Sequence, residues 1–353
     1  MVNNKVIIFI LLAIILIITG CSNDPETHAE KLNLIENPYK QTEFLLGTVV
    51  TIKIYDEGKE EVLGLVFDKI EELDQKITAD EEGSEINTIN DKAGEEAVNV
   101  SEDIFQLITE GKNYSEVAEG SFDITIGPLT KLWHIGFDDA RKPEQAEIDE
   151  ILPLINYKKV ELNEKNKKVF LKDKGMRMDL GAIAKGYIAD EVVQLLKENG
   201  VTTAIIDLGG NIFVMGNHYS GNPWTVGIQD PFSGRGDTIG KLKASNKSIV
   251  TSGIYERYLE VDGVKYHHLL NPKDGYPFNN KLASVSIISD KSIDGDALST
   301  VLFSKGLQDG LDFIHELEGV EAIFIMEDKT IYTTDGLTDN FEITNEQFTF
   351  GNE

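Results

Sequence analysis

The sequence predicts an α+β fold, a single large unit in which strands and helices do not alternate strictly. Three observations carry this. With 353 residues, 41% hydrophobic and 27% charged, the chain has a globular composition and enough length to bury a substantial core. Apolar residues recur at helical spacing in some stretches and as short β-branched runs in others. Several of those runs follow one another between residues 204 and 288 with no helical stretch between them, which a doubly wound parallel sheet would need.

In chain order, Thr48–Tyr55 alternates β-branched and polar residues and predicts a strand. Val62, Leu65, Val66, Ile70, Leu73 and Ile77 mark one face of a helix, and Ile104, Leu107, Ile108 and Val117 mark another. Asp138–Glu150 is charged and reads as surface loop or short helix. A third helix places Ile183, Ala184, Tyr187, Ile188, Val192, Leu195 and Leu196 on one face. Strands are expected near Ala204–Leu208, Trp224–Ile228, Tyr258–Val261, Val285–Ile288 and Ala322–Met326, with a helix carrying Leu298, Val301 and Leu302 before the last. No repeat is visible.

The amino terminus has its own logic. Lys5 precedes an unbroken apolar run, Val6–Ile18, too short to span a bilayer but suited to a signal peptide. The run ends Ile18-Thr19-Gly20-Cys21, which resembles a bacterial lipobox. That predicts a signal over 1–20, cleavage before Cys21 and a diacylglycerol on its sulfur, with a plain secretory signal as the alternative. Two acyl chains suffice for stable anchoring. Residues 21–37 read as a polar tether, 38–353 as the functional domain, and the protein is expected outside the cytoplasmic membrane, anchored in it by lipid. Cys21 is the only cysteine, so an intramolecular disulfide is excluded. The net charge of −28 argues against nucleic-acid binding and against a basic patch on anionic lipid.

Several segments could carry chemistry. Asp179-Leu180-Gly181-Ala182-Ile183-Ala184-Lys185-Gly186 is a glycine turn running into an amphipathic helix. A helix start offers free N–H groups and partial positive charge to a phosphate, and Lys185 adds a full charge. A structural turn with a solvated lysine fits the same residues. Asp207-Leu208-Gly209-Gly210-Asn211 suggests a tight turn or a close backbone approach. Asp296 and Thr300 share a helical face and form a hard-oxygen pair suited to magnesium, or else a capping acid and a solvent-facing hydroxyl. In Tyr266-His267-His268-Leu269-Leu270-Asn271-Pro272, strand alternation sends the two histidines to opposite faces, so at most one enters a given pocket. No cysteine set or His-x-x-x-His supports zinc there. Thr251-Ser252-Gly253-Ile254-Tyr255-Glu256-Arg257 matches no serine-hydrolase signature.

Taken in order, these pieces resemble the ApbE family of FAD:protein FMN transferases. The matching segments are Leu46-Gly47-Thr48, Ser121–Leu129 with Leu132-Trp133, Asp179–Tyr187, Leu208–Asn211, Trp224–Pro231, Thr251-Ser252-Gly253, the His268 segment, and Asp296 with Thr300. The resemblance implies a T-fold-related α+β catalytic unit that binds FAD at a magnesium site. It implies transfer of FMN to a threonine or serine hydroxyl of an exported acceptor flavoprotein, with release of AMP. Carried over by position, Leu46, Ser121, Phe122, Asp123, Asp179, Lys185 and His268 line the FAD site, while the Ala182 carbonyl, Asp296 and Thr300 hold the metal. His268 is the expected base, with Asp296 as the alternative. The chain departs from the family in having Leu46 for a common Met, Ala182 for a common Gly, and no aromatic residue near Ala79. Other readings on the same residues are a magnesium-dependent FAD pyrophosphatase, a non-catalytic FAD-binding lipoprotein, and a solute-binding lipoprotein of an importer.

Overall fold

The computed structural model describes residues 33–351. The expected signal peptide, Cys21 and all but the end of the expected tether lie outside these residues. That end is corrected: Leu34–Asn37 belongs to the first strand, where Leu34 pairs with Asp56 and packs on the core. No described helix is long and apolar enough to cross a membrane.

The strands are β1 (Leu34–Leu45), β2 (Thr48–Asp56), β3 (Val98–Asn99), β4 (Val160–Asn163), β5 (Lys168–Leu171), β6 (Ala204–Leu208), β7 (Asn211–Met215), β8 (Trp224–Gln229), β9 (Thr238–Ala244), β10 (Lys247–Gly253), β11 (Tyr258–Val261), β12 (Val264–His267), β13 (Leu282–Ser289), β14 (Glu321–Met326), β15 (Thr330–Thr333), β16 (Glu342–Ile343) and β17 (Thr349–Phe350). The α-helices are α1 (Val62–Ile77), α2 (Glu85–Asp91), α3 (Glu102–Val117), α4 (Gly127–Trp133), α5 (Gln145–Ile151), α6 (Ala184–Glu198), α7 (Ser292–Lys305) and α8 (Leu307–Ile314).

A nine-stranded sheet runs β1-β2-β6-β7-β10-β13-β14-β15-β17, antiparallel except for the final β15–β17 pair. Short hairpins build much of it, so consecutive strands need no helical crossover, and the fold is α+β as expected. Helices cover one face: α1, α3 and α6 pack on Val50, Ile52, Ile54, Ile206 and Phe213. Farther along the sheet, α7 and α8 pack on Leu282, Val285, Ile287 and Phe324. The small β16-β9-β8 sheet covers the opposite face through Trp224, Ile228 and Leu242 against Ile249, Ile288 and Ile325. Covered on both sides, β13 buries every residue, which explains its continuous apolar and serine run.

The charged stretch before α5 resolves as loop followed by a short helix with a capping box at Glu144 and Glu147. Around Trp133 a satellite core of Leu129, Ile148 and Leu270 forms. The Trp133 indole N–H donates to the Gly275 carbonyl at 2.8 Å, tying α4 to the loop that follows the two histidines.

Candidate active site

The site begins with a close crossing of helices. Gly186 lies in the first turn of α6, and a Cβ placed there would come within 2.7 Å of both the Asp296 Cβ and the Ile293 Cα on α7. Glycine is thus what lets the two helix starts touch. The contact satisfies two sets of free N–H groups. The Gly186 N–H donates to Asp296 Oδ2 at 2.8 Å. In return Asp190 of α6 accepts from the Ser292 and Ile293 N–H groups, at 2.7 and 2.9 Å. Asp190 therefore caps α7, and the first-turn acid Asp294 instead accepts from the Tyr114 hydroxyl at 2.7 Å. Burial raises the Asp190 carboxyl to about 6, against the lowering effect of its two backbone hydrogen bonds.

Asp296 is 4% exposed, and its second oxygen, Oδ1, faces Lys185 Nζ at 3.8 Å. One turn on, Thr300 is half-buried on the same helix, and its hydroxyl meets no partner among the described residues. The Ala182 carbonyl likewise accepts no backbone hydrogen bond among the described residues, because Gly186 donates to Asp296. A carboxylate oxygen, a hydroxyl and a carbonyl are thereby left with open acceptor capacity around one helix crossing. That set suits a small, oxygen-loving divalent cation that keeps water and substrate phosphate in its shell. Among the described residues no three His, Cys, Asp or Glu side chains gather as a nitrogen- or sulfur-rich metal site would require.

The two histidines were expected to alternate within one strand, but the strand ends at His267 and His268 lies one residue past it, so the chain's turn rather than strand alternation sets the second ring. His267 closes β12 and is buried: its Nε2–H donates to the Phe278 carbonyl at 2.9 Å, and its Nδ1 accepts from the Leu269 N–H at 3.3 Å. Both ring nitrogens are occupied. His268 keeps partial solvent access, and its Nδ1–H points to the Arg257 carbonyl at 3.3 Å. That fixes the neutral tautomer with a lone pair on Nε2, which meets no protein donor among the described residues. Crowding by protein pushes the His268 ring down to about 4, against the raising effect of the Arg257 carbonyl, with the charges of Arg257 and Lys185 adding to the lowering. The Lys185 charge is thus near enough to the His268 ring to disfavour its protonation.

The remaining expected residues divide. Leu46 and Gly47 form the two-residue β1–β2 turn, both with positive φ (56° and 66°), and the Leu46 N–H is held by Asp74 Oδ2 at 3.0 Å. Asp179 accepts from the Thr130 hydroxyl at 2.7 Å and the Gly181 N–H at 2.9 Å, shaping the turn before α6. The Ser121–Asp123 side chains are used internally. Ser121 bonds the Ala118 carbonyl and the Ser304 hydroxyl. Phe122 packs edge-on to Tyr114. Asp123 accepts from the Thr125 N–H, the Thr125 hydroxyl and the Tyr157 N–H at 2.7–3.0 Å. The Gly209-Gly210 motif is a tight turn; a side chain at Gly209 would collide with Thr48.

Sequence reasoning missed three contributors: Asp190, Asp74 and Gly186 as the contact point. An acid one turn into a helix announces nothing about a distant helix start. The glycine beside Lys185 was the readable signal.

Comparison with known proteins identifies the family. The sequence model of the ApbE family matches residues 46–324. An FAD:protein FMN transferase of Klebsiella pneumoniae (strain 342) is 40% identical over 83% of this chain and 90% of its own length. One of Treponema pallidum (strain Nichols) is 33% identical over 88% and 90%. The crystal structure of the ApbE protein of Thermotoga maritima superposes with a TM-score of 0.79 at 31% identity, covering 85% of this chain and 98% of that one. The chain belongs to the ApbE family.

Proposed function

We propose that this protein transfers FMN from FAD to a threonine or serine hydroxyl of an acceptor protein and releases AMP, using magnesium. The observation that carries the reading is the buried Asp296, with one oxygen held by Gly186 and the other open toward Lys185, in a site shared with neutral His268. The names of the similar proteins support the same reaction class.

The acceptor oxygen attacks the FAD phosphorus that stays with FMN, and the bond from that phosphorus to the bridging oxygen breaks. AMP leaves with the bridging oxygen. The hydroxyl proton passes to His268 Nε2, the nitrogen left open by the Arg257 hydrogen bond. Lys185, at the start of α6, offsets negative charge on the phosphates. Asp296, Thr300 and the Ala182 carbonyl would hold the cation, which when bound supplies charge neutralisation at the pyrophosphate. Burial by neighbours, with Gly186 as fixed donor, keeps Asp296 in one orientation before substrate arrives.

We further propose that Cys21 carries the lipid anchor and that the acceptor is likewise exported, since the lipobox-like Ile18–Cys21 is the sequence feature that points there. The test of the main reading is to incubate the protein with FAD, magnesium and candidate exported flavoproteins. A mass gain equal to FMN on the acceptor, with one AMP per event, is expected. Release of FMN and AMP at an unchanged rate with every acceptor, and no mass gain, would instead make it a pyrophosphatase.

A further inference from the structure

The chain has four arginines. Arg141 holds Glu147, Arg177 holds Asp80 and Arg235 holds Glu256. Arg257 is the exception: among the described residues no carboxylate comes within ion-pair distance of its guanidinium, although the chain carries 61 acidic residues. Its neighbour Glu256 is turned to Arg235. A guanidinium with five donors, left without an acid in so acidic a protein, is available to an anion from outside.

The Arg257 side chain is exposed but lies along neighbouring elements. The side-chain stem crosses Gly136, where φ is +100° and a Cβ would come within 2.9 Å of Arg257 Cδ, so any larger residue would displace it. The guanidinium reaches the Leu46-Gly47 turn; a Cβ on Gly47 would lie 3.8 Å from Nη2. The Arg257 carbonyl accepts from both the backbone N–H and the Nδ1–H of His268, at 3.1 and 3.3 Å. One residue thus joins the turn containing Leu46, the loop after α4 and the catalytic histidine.

We propose that Arg257 binds a phosphate of FAD, as a second cation beside the Leu46-Gly47 turn and next to His268. The inference rests on the FMN-transfer reading, and it assigns to Arg257 a role that no motif in the sequence reading gave it. Arginine suits the task because its planar fork bonds two phosphate oxygens at once.

The test compares Arg257→Lys, which keeps the charge, with Arg257→Met, which keeps the stem across Gly136 and removes the charge. FAD affinity is read by flavin fluorescence titration, KM is measured separately for FAD and acceptor, and circular dichroism checks the fold. The expected result is a loss of FAD affinity in Arg257→Met of roughly ten- to a hundredfold, substantial recovery in Arg257→Lys, and an unchanged acceptor KM. Equal FAD affinity in wild type and Arg257→Met would overturn the proposal. Equal loss in both variants would reduce the residue to a packing role, and a rise confined to acceptor KM would assign the guanidinium to the acceptor. If wild type itself bound no FAD, the FMN-transfer reading would fail first, and the two failures are told apart in the same titration.

Discussion

Asp123 and Asp296 are both buried aspartates on motif segments, and they differ in how much of each carboxylate the protein uses. Asp123 gives both oxygens to the fold: Thr125 supplies an N–H and a hydroxyl, and Tyr157 supplies an N–H. Burial still raises its pKa, overriding those three hydrogen bonds. Asp296 accepts one short hydrogen bond, from Gly186, and its other oxygen sees only the Lys185 ammonium at 3.8 Å. Burial of a carboxylate therefore does not by itself mark chemistry. What marks it is acceptor capacity that the fold leaves open beside a positive charge. The two histidines repeat the contrast, since His267 has both nitrogens occupied and His268 has one open.

The largest effect expected from this contrast is at Asp296. Asp296→Ala removes the only charged oxygen of the proposed cation set, and AMP release from FAD should fall by about a thousandfold or more, with transfer and hydrolysis lost together. Retained turnover in a folded variant, followed across a magnesium titration, would break the comparison. Next comes the histidine pair. His268→Ala should lose on the order of a hundredfold or more in transfer rate, the usual scale for a general base. His267→Ala should mainly lower the melting temperature, by leaving the Phe278 carbonyl and the Leu269 N–H without partners. The His268 ring also predicts a pH profile. Protonation adds a charge that crowding by protein and two nearby cations oppose, so the proposed base stays neutral until about pH 4 rather than 6.5. The acid limb of kcat/KM should lie correspondingly low, and a limb at 6.5 would contradict the assignment.

Gly186→Ala sharpens the comparison at intermediate size. The added methyl must separate α6 from α7, costing about 1–3 kcal/mol by thermal or urea denaturation. Because the same contact carries the Gly186–Asp296 hydrogen bond, turnover should fall as well. The smallest effect is at Leu46→Gly. Relief of the left-handed backbone opposes lost packing, so stability should move by less than about 1 kcal/mol, while FAD affinity weakens if the side chain lines the site.

Much of this was legible in the chain. The helices through Val62–Ile77 and Glu102–Val117 follow directly from apolar spacing, and the central strand runs announce themselves by β-branched content. The edge strand Leu34–Leu45 was not readable: its middle, Glu36–Glu43, is mostly polar, contains Pro38 and shows no alternation, so the strand is defined by pairing with β2. Of the site, Lys185, Asp296, Thr300 and His268 were readable as motif residues. Which carboxylate is saturated was not, because Thr125 and Tyr157 reach Asp123 through the fold's own turns. The role of Arg257 was hidden for a similar reason, since an arginine's significance here lies in the partner it lacks.

The central claim is tested most directly by Asp123→Asn and Asp296→Asn side by side, each keeping the shape of its side chain. Urea denaturation and single-turnover flavinylation of an acceptor are measured on both. The account predicts that Asp123→Asn loses stability, by about 1–3 kcal/mol as its N–H donors are mispaired, yet transfers FMN at close to the wild-type rate. Asp296→Asn should fold normally and transfer almost nothing. A stable, fully active Asp296→Asn protein together with a folded but inactive Asp123→Asn protein would contradict it.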